Sequence, residues 1–412
     1  MLPDSRVTLL PRLTIAISGA AFAALAAAWL GGGARGDWPW APTLGLRLAF
    51  EVDGLAALYG LLATGIGLAV FVYSSRYLPI HLAHQGRPPS EAPRFYAFLL
   101  LFMAAMVGLV TAQDLILLFV FWDLTAVASY YLIGYDQDDD RDRHAALMAL
   151  LVTGVTAVFL LVAALLLARE YGTFSIPDVL ARAEANGTTT AAGALIAVAA
   201  LAKSAQVPLH FWLPRAMLAP TPVSSYLHSA AMVAAGVFLL GRFYPLLAQS
   251  PALLDALLAV GIASMAVGGI LALTRDGFKQ VLAYSTVAQY GYVVFLLGLG
   301  TGKGVAAASF YVVVHGMAKC ALFLTAGTVT IATGESTLPA VGGLARRMPA
   351  LAAGSALAAA GIVALPASAG FFADELFFAA AQDRHAVLGV VAVASAVLTF
   401  AYIGRLWAGI FL

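Results

Sequence analysis

Residues 191–244 read AAGALIAVAALAKSAQVPLHFWLPRAMLAPTPVSSYLHSAAMVAAGVFLLGRFY. Two apolar runs, 191–207 and 223–244, are each close to the roughly 20 residues that carry a helix across a hydrocarbon core of about 30 Å. Lys203 lies inside the first run and His228 inside the second. The join between them holds Pro208, Pro214, Pro220 and Pro222 with a lone His210. Proline frees backbone carbonyls, and inside a membrane such backbone survives only where protein or water satisfies it. Broken helices of this kind, with an ionisable group beside the break, are where membrane transporters place ion sites.

The rest of the chain extends this reading. Hydrophobic residues make up 62% of the 412 positions and charged residues 10%, against a soluble average of about 25% charged. Mean hydropathy is +0.92. Membrane-length runs recur at roughly 13–31, 52–76, 95–111, 115–134, 145–168, 191–207, 223–244, 252–273, 279–300, 305–332, 349–382 (interrupted) and 386–411. They do not alternate as barrel strands would. The expected fold is therefore all-α and polytopic, with about twelve transmembrane helices. Pro3, Asp4 and Arg6 before the first run, with no small-residue cleavage site after it, predict an uncleaved first helix.

Net charge of +1 provides no basic surface for nucleic acid. A single cysteine, Cys320, excludes an internal disulfide and any thiolate cluster. No metal-ligand cluster, phosphate-cradling loop or nucleophile motif is present, so neither a cofactor nor a metal site is expected. Arginines and lysines divide unevenly between the two sides. Arg6, Arg12, Arg76, Arg87, Arg94, Arg141, Arg143, Arg215, Arg275, Arg346, Arg347 and Arg405 share a side with the termini. Arg35, Arg47, Arg169, Arg182, Arg242, Lys303 and Arg384 take the other. The excess places both termini in the cytoplasm.

Three lysines, Lys203, Lys279 and Lys319, lie within or at the mouth of apolar spans, whereas every arginine stays out. Arginine is permanently charged, while a buried lysine can bind and release protons near neutrality. Asp123, in Phe119-Val120-Phe121-Trp122-Asp123-Leu124, is the only acid deep in the first ten spans. A lone carboxylate there needs a counter-ion, and an intramembrane lysine is the natural one. His315 precedes Lys319 by four residues and shares its helix face, as a proton-relay step would require. A bland alternative stays open, above all for Lys279 at the start of its helix: a structural hydrogen-bond donor or a snorkelling side chain. His81, His84, His144 and His385 fall outside the spans, where solvation explains them. The turn Asp136–Arg143 reads as a solvated cap.

Pro366 interrupts the eleventh span, just before Gly370-Phe371-Phe372-Ala373-Asp374-Glu375. The breaks at Pro208 and Pro366 each fall in the fourth span of a five-span block. An odd number of helices per block makes the second enter from the opposite side, which is an inverted repeat. The expected organisation is two N-terminal helices (1–93), a first five-helix repeat (94–250) and a second, inverted one (251–412).

Several segments then match a known pattern: Asp53-Gly54-Leu55, Thr64-Gly65-Ile66-Gly67, the Asp123 segment with Tyr131-Leu132-Ile133-Gly134-Tyr135, Lys203-Ser204-Ala205-Gln206-Val207-Pro208-Leu209-His210, Pro220-Thr221-Pro222-Val223-Ser224, Leu282-Ala283-Tyr284-Ser285-Thr286 and His315-Gly316-Met317-Ala318-Lys319. Together, over 52–411, they resemble the antiporter-like subunits of respiratory complex I and the multisubunit Mrp-type Na+/H+ antiporters. Thr64–Gly67 and Gly172-Thr173-Phe174-Ser175-Ile176 are most similar to the large Mrp A subunit.

The resemblance implies that Asp123 replaces the family's membrane glutamate and pairs with Lys203. It further implies that His228 connects half-channels, that Lys279 and Lys319 continue the relay, and that His315 sits beside them. The lysine expected after Gly370-Phe371-Phe372 appears instead as Asp374, followed by Glu375, which makes the exit acidic. The family carries further helices at both ends, so a compact member or one piece of a divided subunit is implied, with neighbouring membrane subunits covering its flanks. The function implied is proton translocation, with Na+ as a candidate counter-cargo, in a hetero-oligomeric complex of a prokaryotic cell membrane. The alternative is a membrane anchor and energy-coupling partner for a peripheral dehydrogenase, hydrogenase or inorganic-carbon uptake protein.

Overall fold

The computed structural model describes residues 4–136 and 139–412, with side chains from residue 9 onward. Pro3 of the leading segment and Gln137-Asp138 of the charged turn lie outside the described residues. α1 (Asp4–Leu30) runs into a hairpin of β1 (Arg35–Ala41) and β2 (Leu46–Glu51), followed by α2 (Gly54–His84). The first repeat comprises α3 (Ala92–Thr111), α4 (Leu115–Ile133), α5 (Asp140–Tyr171), the short α6 (Ile176–Ala181), α7 (Gly187–Lys203), α8 (Trp212–Arg215), α9 (Thr221–Ser229) and α10 (Met232–Arg242). α11 (Tyr244–Leu247) leads to the second: α12 (Pro251–Leu273), α13 (Phe278–Gly298), α14 (Gly302–Thr333), α15 (Pro349–Ile362), α16 (Ala369–Arg384) and α17 (Ala386–Phe411).

Among the described residues ten spans, counting α9 and α10 as one, are long and apolar enough to cross a membrane by length and composition. α7 and α15 are shorter apolar helices, each ending at one of the breaks. The antiparallel hairpin, pairing Arg35 with Glu51 and Trp38 with Leu48, is an addition that the hydropathy pattern did not reveal. Several helices start at a side-chain cap. Asp53 accepts the Ala56 amide at 2.8 Å, Asp114 accepts Ile116 at 2.9 Å, and Asn186 accepts Thr189 at 2.8 Å.

Both expected breaks are present, and their chemistry explains how they survive. α7 ends at Lys203, and the carbonyls it frees are met from within the protein. Trp212 Nε1 donates to Ala202 O at 3.0 Å, and Gln206 Nε2 donates to Ser204 O at 2.9 Å. Between α15 and α16, the Ser368 hydroxyl donates to Leu365 O at 2.7 Å and accepts the Phe371 amide at 3.3 Å. Among the described residues the non-glycine residues with positive φ are Ala205, Ala364 and Ala367, at 52°, 56° and 69°. All fall in these two breaks, so both repeats hold unfavourable backbone at corresponding places. Pro222 does not interrupt a helix; it occupies the first turn of α9, where its missing N–H costs nothing. The span expected at 223–244 is itself divided, because the chain leaves helical geometry at Ala230 and Ala231.

Burial is graded across the bundle. The α9–α10 span is fully enclosed and α13 nearly so, whereas α1 and α17 are mostly exposed to the surroundings. α12 and α13 lie close enough that glycine is required at the contact. A Cβ on Gly268 would stand 2.5 Å from Ala288 N, and one on Gly261 would stand 2.6 Å from Phe295 N. Gly268→Ala is expected to destabilise the protein by about 1–3 kcal/mol through overpacking, read as a lower thermal midpoint in detergent. Gly354→Ala, with nothing within 4 Å of its Cβ, serves as the control and is expected to be neutral or slightly stabilising.

Candidate functional site

Lys203 is fully buried at the last position of α7. Its Nζ donates to Trp122 O at 2.7 Å and lies 4.0 Å from the centroid of the Trp122 ring. Asp123 follows Trp122 on α4, half-buried, and its electrostatic partner is Lys203. The carboxylate and ammonium nevertheless form no ion pair within 4.0 Å among the described residues. The expected direct pair is thus open in this structure, with a main-chain carbonyl and an indole face in the carboxylate's place.

In the second repeat Lys319 is equally buried. Its Nζ donates to Leu282 O at 3.1 Å and to the Ser285 hydroxyl. The two lysine sites share a motif. Trp122 O also accepts Thr125 Oγ1 at 2.7 Å, and Leu282 O also accepts Ser285 Oγ at 2.9 Å. In each repeat, then, a hydroxyl one turn along the second helix shares its acceptor with a buried ammonium.

Two histidines are buried on α9 and α14. His228, on α9, has its ring 6.0 Å from that of Trp212 and 6.4 Å from that of Phe323. His315, one turn before Lys319, meets Tyr290 edge-on at 4.9 Å. Tyr290 in turn donates to Ser229 O at 3.1 Å, at the end of α9. Both nitrogens of the His228 imidazole are buried without a hydrogen-bond partner among the described residues, and the His315 imidazole interacts with the His228 main chain. Such buried groups are costly unless a polar neighbour or water meets them.

Lys279, at the start of α13, donates to Ala219 O at 2.7 Å. It borders a cavity of about 1120 Å³ lined also by Tyr77, His81, Asp136, Asp142, Arg215, Thr221, Arg275 and Tyr284. The cavity opens at the arginine-rich end of the bundle. His81 is not merely solvated: its ring stacks on Tyr77 at 5.5 Å, and its Nε2 lies 3.1 Å from Asp136. Asp136 also pairs with Arg87. Tyr77 in turn accepts the Thr221 amide at 3.2 Å, which ties this cluster to the start of α9.

The remaining expected residues fall apart from this line. His210 is half-buried in the first break, where its carbonyl accepts the Leu213 amide at 3.1 Å. Pro208 and Pro366 are exposed. Asp374 is buried on α16 while Glu375 points outward, so the two acids do not act as a pair. His84, His144 and His385 are exposed, and His385 caps α17 through the Val387 amide at 3.2 Å. Sequence reasoning missed Trp122, Ser285 and Tyr290. The i,i+4 spacing of Tyr311 and His315 was a readable signal that was not used.

Two oppositely directed repeats, each with a broken helix and a buried lysine, define a membrane protein of the antiporter-like inverted-repeat class. The chain belongs to the NADH:quinone oxidoreductase/Mrp antiporter transmembrane family, which it matches over residues 112–399. Residues 38–87 match the family described as NADH-ubiquinone oxidoreductase (complex I), chain 5 N-terminus.

It is 38% identical over 365 residues to a probable K(+)/H(+) antiporter A/B subunit of Rhizobium meliloti (strain 1021), covering 88% of this chain and 36% of that protein. A chain of the Mrp complex from Dietzia sp. DQ12-45-1b superposes with a TM-score of 0.89 at 34% identity, over 99% of this chain and 46% of that one. A chain of respiratory complex I from Thermus thermophilus superposes with a TM-score of 0.86 at 25% identity, over 98% of this chain and 88% of that one. The chain therefore spans 36% and 46% of the lengths of these two Mrp-type relatives.

The cavity and the buried line differ in access, which thiol labelling reads directly. Gln280→Cys, at the cavity wall, is expected to react quickly with a membrane-impermeant maleimide. The native Cys320, buried beside Lys319, is expected to stay unmodified until the protein unfolds. Comparable labelling of both would mean that the line of lysines and histidines is open to bulk solvent.

Proposed function

We propose that this chain is a proton-translocating membrane subunit of a multisubunit cation/proton antiporter. One observation carries the reading: Lys203 and Lys319 are fully buried without a carboxylate in contact, each held by a main-chain carbonyl, and two further titratable groups, His228 on α9 and His315 on α14, are buried in the same bundle. Lysines in a membrane interior pair with acids or backbone carbonyls or snorkel to the surface. These bind carbonyls, which leaves each ammonium without a compensating negative charge in contact. The names of the relatives support antiport, and the size of the Mrp and complex I assemblies supports a role beside other membrane subunits.

In this mechanism Asp123 switches the charge on Lys203. When the carboxylate closes onto the ammonium, the protonated lysine is held; when it withdraws, the proton passes toward His228. His315 and Lys319 take it onward, and Lys279 exchanges it with the cavity. One pKa unit corresponds to about 1.4 kcal/mol, so opening or closing a poorly solvated pair is sufficient to drive each step. Asp374 is the acidic terminus of the line. The arginine-rich end, with both chain termini, faces the cytoplasm.

In the assembled complex, Lys203→Ala and Lys319→Ala are each expected to abolish exchange, measured as cation-induced dequenching of a pH dye in everted vesicles. Near-normal exchange in both would reduce the lysines to structural donors. Asp123→Asn is expected to cripple exchange and Asp123→Glu to retain it. An active Asn variant beside an inactive Glu variant would remove charge switching from the mechanism. For orientation, Asp140→Cys is expected to label only from the cytoplasmic face, and labelling only from outside would invert the topology. Purification from native membranes is expected to bring down further membrane subunits; a cofactor-bearing soluble enzyme in their place would support the anchoring role instead.

A further inference from the structure

The most polar enclosed cluster in the second repeat lies beyond the lysine line. Tyr311 Oη donates to Gln289 Oε1 at 2.7 Å, and Gln289 Nε2 donates to Tyr402 Oη at 3.2 Å and Thr399 Oγ1 at 3.3 Å. Thr399 Oγ1 also contacts Tyr402 Oη at 2.9 Å and Tyr292 Oη at 3.0 Å. All five side chains are buried, and they come from α13, α14 and α17.

Asp374 is buried on α16, the helix that packs against α13, α14 and α17. The Phe377 ring, one turn further along the same face, packs 4.6 Å from that of Tyr292. The carboxyl group interacts electrostatically with Tyr292, Tyr311 and Tyr402. It makes no hydrogen bond or ion pair among the described residues. A buried carboxylate without a cationic neighbour is sustained only by a proton or by a bound cation.

We propose that Asp374, Gln289, Tyr292, Tyr311, Thr399 and Tyr402 form a binding site for a dehydrated alkali cation, at which the ion replaces a proton on Asp374. Four features select this ligand. Hydroxyls that each donate one hydrogen keep lone pairs free to coordinate. The donor atoms are all oxygen, which suits hard cations. With no imidazole or thiolate among them, a transition metal is disfavoured. One carboxylate balances one positive charge, which suits a monovalent ion better than a divalent one. The site also has a route to the relay. Tyr311, His315 and Lys319 follow one another at four-residue spacing on one face of α14, so an ion at Asp374 opposes a proton on His315 or Lys319. The proposal rests on the antiporter reading and assigns the place where the alkali ion binds.

The test uses the complex purified from native membranes and reconstituted in vesicles, with LiCl, NaCl, KCl and choline chloride as probes. Tyr402→Phe and Thr399→Val, which remove a ligand at nearly constant volume, are expected to raise the cation concentration for half-maximal exchange about tenfold. They are also expected to change the order of preference among Li+, Na+ and K+. Asp374→Asn is expected to lose alkali-dependent exchange. The wild-type complex is expected to gain thermal stability in the preferred alkali chloride over choline chloride, a gain that shrinks in Tyr402→Phe. Unchanged half-saturation, preference order and salt protection in Tyr402→Phe and Thr399→Val would overturn the site. Lys203→Ala, assayed in parallel, judges the antiporter reading separately: if it is inactive while the hydroxyl variants behave as wild type, only the site falls.

Discussion

Lipid offers no hydrogen bonds, so every polar group that this chain places in the membrane must be met by the protein or by water held inside it. The three intramembrane lysines answer this constraint in the same way. Lys203 donates to Trp122 O, Lys279 to Ala219 O and Lys319 to Leu282 O. A carbonyl is a neutral acceptor. An ammonium bound to it can lose a proton and, as an amine, still donate to the same oxygen, leaving no isolated charge behind. A carboxylate in permanent contact would instead be stranded by each deprotonation, at a cost of several kcal/mol in a low-dielectric setting. Carbonyl partners therefore keep both protonation states within reach, which a relay needs and a structural ion pair does not.

The same constraint shapes the breaks. Interrupting α7 after Lys203 exposes carbonyls that Trp212 and Gln206 must satisfy, and Gln206 does so by reaching toward the other repeat as well, donating to Val287 O at 3.3 Å. Val207 N likewise donates to Ser264 Oγ on α12 at 3.0 Å. The irregular backbone beside Lys203 is thus fastened to the second repeat. A shift of α12 or α13 would be felt at the end of α7, giving the two repeats a mechanical link in addition to the electrostatic one.

Much of this was legible in the sequence, for reasons that can be named. Hydropathy located the crossings because a helix in lipid must be apolar over its whole length. Pro208 and Pro366 located the breaks because proline cannot donate. The buried lysines stood out because arginine, unable to lose its charge, was kept away from the same regions. What stayed hidden depended on directions that one dimension does not carry. The sequence pointed Lys203 to Asp123, whereas Trp122, one position away, supplies the acceptor. The interruption at Ala230–Ala231 contains neither proline nor glycine, so no local signal marks it. His81 looked solvated because its partner Asp136 lies 55 residues away along the chain.

Asp123 and Asp374 illustrate how one residue type acquires two roles from its surroundings. Asp123 is half-buried on a helix whose neighbouring surface, at Val120, Val127 and Tyr131, is exposed and apolar. A carboxylate at that depth is not stable against hydrocarbon, so its free side calls for cover by protein, and its charge is available to act on Lys203. Asp374 is buried on α16, far in sequence from any buried lysine, and its electrostatic neighbours are tyrosines. The repeats share an architecture and a way of holding a lysine, but the position of their acids makes them chemically unequal: one carboxyl stands beside the residue whose carbonyl holds a buried lysine, the other is buried without a cationic partner among the described residues.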